Sequence, residues 1–197
     1  TDTMLANNYT AEFKEMWAGR FGDDKTVNTI QRLDYADVEV ENYFSPTDWP
    51  AFEVWLELAK AEQTIHFAMF FWTDELLSKQ VAERIAEGVE VYGVWDQLGA
   101  ANQYSEDEML CAAGARIGIE NLPGKVHHKF AVIDARLVLT GSYNWTRGAC
   151  DNNENLYGTS SPAAVESYAA HFEKLWKSFG RLAPPPPTPR SRAERPR

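Results

Sequence analysis

Apolar positions across residues 64–72 fill both alternating faces, with Ile65, Phe67, Met69 and Phe71 on one and Ala68, Phe70 and Trp72 on the other. A strand apolar on both faces is covered on both sides, which predicts a place near the middle of a sheet. Residues 38–43 alternate and then meet Ser45-Pro46, predicting a strand that runs into a loop. Phe52, Trp55 and Ala59 fall on one face of a helix predicted over residues 51–62. Asp74 is placed to cap a helix carrying Leu77, Val81 and Ile85, Gly88 ends it, and residues 89–95 return as a strand. Ser105 and Glu108 have the spacing of a capping box, Gly114 closes that short helix, and residues 115–120 predict another strand. The rhythm implies an α/β sandwich: a mixed, mostly parallel β-sheet flanked by helices on both faces.

Residues 125–134 and 137–140 then predict two strands joined by a tight turn. Pro162 opens a closing helix that reaches residue 177, with Lys174 and Lys177 in its last turn and Gly180 beyond. After Leu182 the chain turns to prolines and arginines, which bury no apolar surface and favour extended conformations. The expected organisation is an N-terminal helix and linker over residues 1–35, one globular domain over 36–182, and a disordered tail over 183–197. Near the start, Tyr9, Phe13, Trp17 and Phe21-Gly22 echo Tyr168, Phe172, Trp176 and Phe179-Gly180 near the end. The echo has two explanations: two ordinary aromatic helix stripes, or a first helix that closes an earlier, related domain.

Composition narrows the function classes. With 197 residues, 44% of them apolar, the chain suffices for one well-packed domain. A net charge of −10 opposes a general nucleic-acid coat, because such binding is driven by Lys and Arg neutralising phosphates. Contact with a polyanion must therefore be local. Cys111 and Cys150 are too few for a disulfide scaffold, lack the C-x-x-C spacing, and leave the redox compartment undecided.

Candidate chemistry concentrates between Val126 and Asn144. Alternation on a strand sets His127 beside Lys129 and turns His128, Phe130 and Val132 the other way. An imidazole beside an ammonium suits attack on a phosphate diester: the cation offsets oxyanion charge and favours the neutral, nucleophilic ring. Gly141, Ser142 and Asn144 follow, a glycine that lets backbone approach a ligand and two neutral donors for phosphate oxygens. Glu154 is an acid in a polar run; accepting from His127 Nδ1 would leave Nε2 free to attack phosphorus. A metal site of His127, His128, Asp134 and Glu154 is the rival, opposed by the two histidines lying on opposite faces and by Lys129.

The pattern His-x-Lys-x4-Asp-x6-Gly-Ser-x-Asn is met by His127, Lys129, Asp134, Gly141, Ser142 and Asn144, and it resembles the signature of the phospholipase D superfamily. Tyr43-Phe44-Ser45-Pro46 and the element order are also similar, so the resemblance extends over residues 36–180. It implies metal-independent phosphodiester cleavage without a cofactor, through a covalent phosphohistidine. His127 is the implied nucleophile, Lys129, Ser142 and Asn144 the implied phosphate ligands, and Asp134 a supporting residue. It also implies that two such motifs face each other, one histidine attacking and the other acting as general acid. The second motif would come from a homodimer or an upstream domain. Three functions remain open. A nuclease would draw on Lys125, Lys129, Arg136 and Arg147 around the motif, with Trp145 or Tyr143 stacking on a base. A phospholipase would use Phe70, Phe71 and Trp72 as an apolar entrance. A non-catalytic scaffold is disfavoured, because no chemical position of the motif is lost. The balance of these features leans to the nuclease.

Overall fold

The strand with two apolar faces becomes β3 (Thr64–Met69), interior to an eight-stranded sheet. The computed structural model describes residues 3–180; the stretch read as a tail, 183–197, lies outside them. The other strands are β1 (Arg32–Tyr35), β2 (Val38–Phe44), β4 (Glu90–Asp96), β5 (Arg116–Glu120), β6 (Lys129–Ile133), β7 (Leu137–Gly141) and β8 (Asn155–Thr159). Their order is β1-β2-β8-β7-β6-β3-β4-β5. The helices are α1 (Thr3–Trp17), α2 (Pro50–Ala59), α3 (Glu75–Ala86), α4 (Gln97–Ala100), α5 (Asp107–Ala113) and α6 (Pro162–Phe179).

Side-chain alternation divides the core into two layers. Ile65, Phe67 and Met69 of β3 pack with Ala131, Ile133, Leu137 and Leu139 beneath α2, α3 and α5. Ala68, Phe130, Val132 and Val138 face the other way, against Val165, Phe172 and Phe179 of α6. Helices thus cover both faces of a mixed sheet, as the pattern implies. The balance of directions differs from the expectation of a mostly parallel sheet: only β3–β4 and β4–β5 are parallel, and the other five pairings are antiparallel. The cause is the second half of the chain. After β5 a loop brings β6 back beside β3 in the opposite direction, the β6–β7 hairpin follows, and β8 pairs antiparallel with both β7 and β2.

Local details also depart from expectation. β1 falls inside the stretch expected to be linker and pairs with β2, so the sheet begins before residue 36. No side chain caps α5 by a hydrogen bond, so the Ser105–Glu108 capping box does not form. By contrast, Asp74 caps α3 through the amides of Leu76 and Leu77. In α2 the buried residues are Pro50, Val54, Glu57 and Leu58, whereas the Phe52 and Trp55 stripe faces solvent. α1 forms, but it docks through polar groups: Asn8 holds the Ile30 backbone, Glu15 accepts from Thr26, and Glu12 meets Lys25 Nζ at 2.6 Å.

Candidate active site

β6 begins at Lys129, so residues 125–128 form the end of a loop rather than the first half of the predicted strand. β3, its pairing partner, stops at Met69, and the last tie is the Phe70 amide donating to the His128 carbonyl at 2.8 Å. Alternation nevertheless persists through the loop. His127 and Lys129 share one side, with Lys129 Nζ 3.3 Å from His127 Nδ1 and 3.0 Å from the His127 carbonyl oxygen. His128 lies on the α6 side, its Nε2 3.1 Å from His171 Nε2.

Phe70 forms the floor of this corner. Its ring lies 4.3 Å from the His127 ring, with Lys129 Nζ at 5.0 Å and Lys125 Nζ at 5.7 Å from its centre. Burial first, then the ammoniums of Lys129 and Lys125, lower the pKa of His127; Asp96 pulls the other way. The ring is therefore held toward the neutral form that carries a nucleophilic lone pair. Burial also lowers the pKa of Lys129, against the opposing pull of Glu154 and Asp96.

The hairpin delivers the remaining groups. Gly141 ends β7 with φ of 144°, and a Cβ there would lie 2.2 Å from the Asn155 carbonyl oxygen, so glycine alone lets β7 pass β8 this closely. Ser142 then sits exposed at the rim, its Oγ accepting from the Asn155 amide at 3.0 Å. Asn144 is half-buried, and its Oδ1 is closed to solvent without a hydrogen-bond partner among the described residues. Such an orphaned acceptor costs on the order of 1–3 kcal/mol.

Several expected placements are not found. Glu154 is anchored beside Ser45, whose hydroxyl accepts from its amide, but its carboxylate accepts from Asn152 rather than from His127. The reason is that Nδ1 faces Lys129, and an ammonium only donates, so Nδ1 is the acceptor in this arrangement. Glu154 reaches the pair through its charge, acting on Lys129. Asp134 stands at the opposite end of β6, accepting from the amides of Glu62, Gln63 and Thr64. Burial pushes its pKa up, but those three amides outweigh it and hold the carboxyl below its ordinary value. Arg136 is beside it, 3.7 Å from Glu57, and so is not part of a cation cluster at His127. Tyr143 and Trp145 are buried, one against Cys150 and the other against Trp72, which removes them as stacking platforms. Trp72 is likewise buried, while Phe70 and Phe71 are partly exposed. The four groups of the rival metal site are spread over two faces and two ends of β6. Cys111 and Cys150 are both free.

Sequence reasoning missed three contributors. Phe70 has the sequence character of a core or entrance residue, Asn155 is hidden in a polar run, and Asp96 carries no motif. Asn155 holds Ser142 in place and donates to the Tyr9 hydroxyl at 2.9 Å. Position at the end of a strand was the available signal for Asp96 and Phe70.

A family model described as cardiolipin synthase, PLD-like domain, matches residues 55–176. A mitochondrial cardiolipin hydrolase of Chlamydomonas reinhardtii is 37% identical over 123 residues, which cover 62% of this chain and 55% of that protein. The chain thus spans little more than half the length of that relative. NucT from Helicobacter pylori shares the fold with a TM-score of 0.68 at 18% identity, over 73% of this chain and 98% of that one. The phospholipase D family member Nuc from Salmonella typhimurium gives 0.65 at 23% identity, over 73% and 97%. With the family model covering more than half of the sequence and the whole His127-to-Asn144 constellation inside it, this chain belongs to the phospholipase D superfamily.

Proposed function

We propose that the chain is a phosphodiesterase that works through a covalent phosphohistidine at His127. The observation that carries the proposal is the His127–Lys129 pair, an imidazole of lowered pKa in contact with an ammonium at the open end of the sheet. In the first step a ring nitrogen lone pair attacks phosphorus, the bond to the leaving oxygen breaks, and that oxygen takes a proton from a general acid. In the second, water attacks phosphorus, the P–N bond breaks, and the former acid accepts the water proton. Attack through Nε2 requires the Nδ1 proton to be held, and a turn of the imidazole away from Lys129 toward Glu154 would supply that acceptor. Lys129, Ser142 and Asn144 neutralise and orient the phosphate oxygens. No metal enters this scheme.

The general acid comes from a second motif. His66 and His128 face α6, and His171 lies on α6 itself, so among the described residues no second histidine shares the side of His127. An isologous dimer or an upstream motif-bearing domain supplies it.

For the substrate, a phospholipid diester fits better than nucleic acid. Arg136 lies at the far end of β6, and the two aromatics proposed to stack on bases are buried. The named relative is a cardiolipin hydrolase. Exposed Lys125 over Phe70 is the observation that favours a nucleic-acid strand as a second reading. The test is to quench turnover of a labelled diester and map the adduct. A phosphoryl group on the peptide containing His127, absent in His127→Ala and retained in His128→Ala, is expected. Undiminished turnover by His127→Ala would overturn the proposal.

A further inference from the structure

α2 and α3 leave a set of large apolar side chains uncovered, and these converge on one groove of about 840 Å³. Trp49, Phe52 and Trp55 line one wall and Leu76 the other. Trp49 is 75% exposed, Leu76 68% and Phe52 55%. The Phe52 and Trp55 rings stack at 6.3 Å, nearly parallel. Trp49 also holds a left-handed backbone, with φ of 54° and ψ of 52°, immediately before Pro50 at the first position of α2. For a bulky residue that conformation is strained, and packing does not recover the cost, because the indole stands in water.

The groove and the candidate active site share their loops. Trp49 follows Ser45, which holds the Glu154 backbone; Leu76 follows the end of β3, where Phe70 supports His127. Arg147, Cys150 and Asp151 line the groove from the segment between Asn144 and Glu154. The apolar ridge therefore opens on the same end of the sheet as the phosphate chemistry. Charge then selects the occupant. Asp23, Asp74 and Asp151 line the groove against a single cation, Arg147. A polynucleotide needs the reverse balance. Indoles and a leucine presented to solvent beside proline are the composition that settles at the boundary between water and hydrocarbon.

We propose that Trp49, Phe52, Trp55 and Leu76 seat this domain on the surface of a phospholipid bilayer, with His127 at headgroup level. The inference rests on the phospholipid-diester reading above. Because the groove is acidic, docking is driven by apolar insertion, so it needs no anionic lipid and withstands salt.

The test is flotation of the full chain with phosphatidylcholine vesicles, using His127→Ala so that binding is read without turnover. Flotation is expected, persisting at about 0.5 M NaCl. Adding Trp49→Glu and Leu76→Glu should lower the bound fraction roughly tenfold or more, as expected when the inserted apolar area is lost. The same two changes in the otherwise native chain should leave cleavage of a water-soluble diester reporter unchanged, which also shows that the variant folds. Flotation that fails, or that ignores the ridge substitutions, overturns the proposal. So does a native dimer that the substitutions split without any vesicle binding, because the ridge would then cover a second copy. Normal ridge-dependent flotation by a chain that cleaves no diester upholds the docking surface and sinks the catalytic reading alone.

Discussion

At one end of β6, Lys129 turns a buried ammonium toward His127, and no carboxylate among the described residues lies within ion-pairing distance of it. At the other end, five residues on and roughly 17 Å away at strand rise, Asp134 accepts three backbone amides and pins the start of β3. Both residues belong to one contiguous motif. The difference between them is whether the neighbouring groups satisfy the charge. Asp134 is saturated by its own fold, so its role is complete without a ligand. Lys129 has a carbonyl and a ring nitrogen, both weak partners for an ammonium, and its charge is left available for a phosphate. Proximity in sequence groups residues by descent on one strand, and only the state of their partners separates chemistry from architecture.

The largest effect that would break this comparison is in rate. Lys129→Met should lower kcat/KM by roughly 10²- to 10³-fold, the loss of one preorganised transition-state partner, with little change in Tm. Steady-state kinetics beside thermal melts check it, and a fall in Tm without a rate defect would place Lys129 with the architecture. Asp134→Ala is the mirror experiment. Losing a charged acceptor shared by three amides should cost about 2–4 kcal/mol of stability while kcat stays near native, measured by urea unfolding. The contribution has a pH signature. Because the folded carboxyl titrates below its ordinary 3.8, its stabilisation is present above that value and disappears as pH falls through the lower folded pKa. Asp134→Asn should flatten that acid limb.

A smaller effect is expected from Glu41 on β2. Its carboxyl is buried, and its pKa is pushed up to about 7, first by that desolvation and then by the charge of Glu57. For an acid with a raised folded pKa the sign reverses: stability is full below the ordinary 4.5 and is lost as pH rises through about 7. Glu41→Gln should therefore raise Tm by a few degrees above neutrality and change nothing at pH 4, with kcat unaffected. An equal gain at both values would show a packing effect in place of a titration.

How much of this was visible in the sequence depended on which interactions decide each element. The two-faced strand at β3 and the cap at Asp74 were legible because the pattern and the side chain act locally. β8 was not, since Asn155–Thr159 is held by β2 and β7, the first of them more than a hundred residues back along the chain. The mostly parallel expectation failed for the same reason: strand direction is set by long-range return of the chain after β5. The pair of aromatic stripes shows the limit most directly. Phe172 is buried against the sheet, yet Phe13 and Trp17, with the same spacing, stand in solvent, Trp17 at 82% exposure. Periodicity identifies a helix face but not its partner. In the candidate site, the His127–Lys129 adjacency followed from alternation, whereas the loss of the expected Glu154 contact to Nδ1 could be seen only once Lys129 was known to occupy that atom.

The finest test addresses the electrostatics of His127 itself. Lys125 Nζ, 5.7 Å from the centre of the Phe70 ring that Lys129 also approaches, adds a second cation to the corner, so both push the imidazole toward its neutral form, after the larger effect of burial. Removing Lys125 leaves the desolvation and the Lys129 contact in place. Lys125→Ala should therefore raise the His127 pKa, and the sign follows from the charge: without the cation, protonating the ring is less costly. The acid limb of kcat/KM, where the nucleophile gains a proton, should move to higher pH by the same amount, and the rate near pH 8 should barely change. Titration of the His127 ring signals by NMR reads the shift directly, and His128, on the α6 side, serves as the internal reference that should stay fixed. A downward shift, or an equal movement of both histidines, would mean that the field at this end of β6 is set by something other than its two lysines, and the contrast with the Asp134 end would have to be drawn on different grounds.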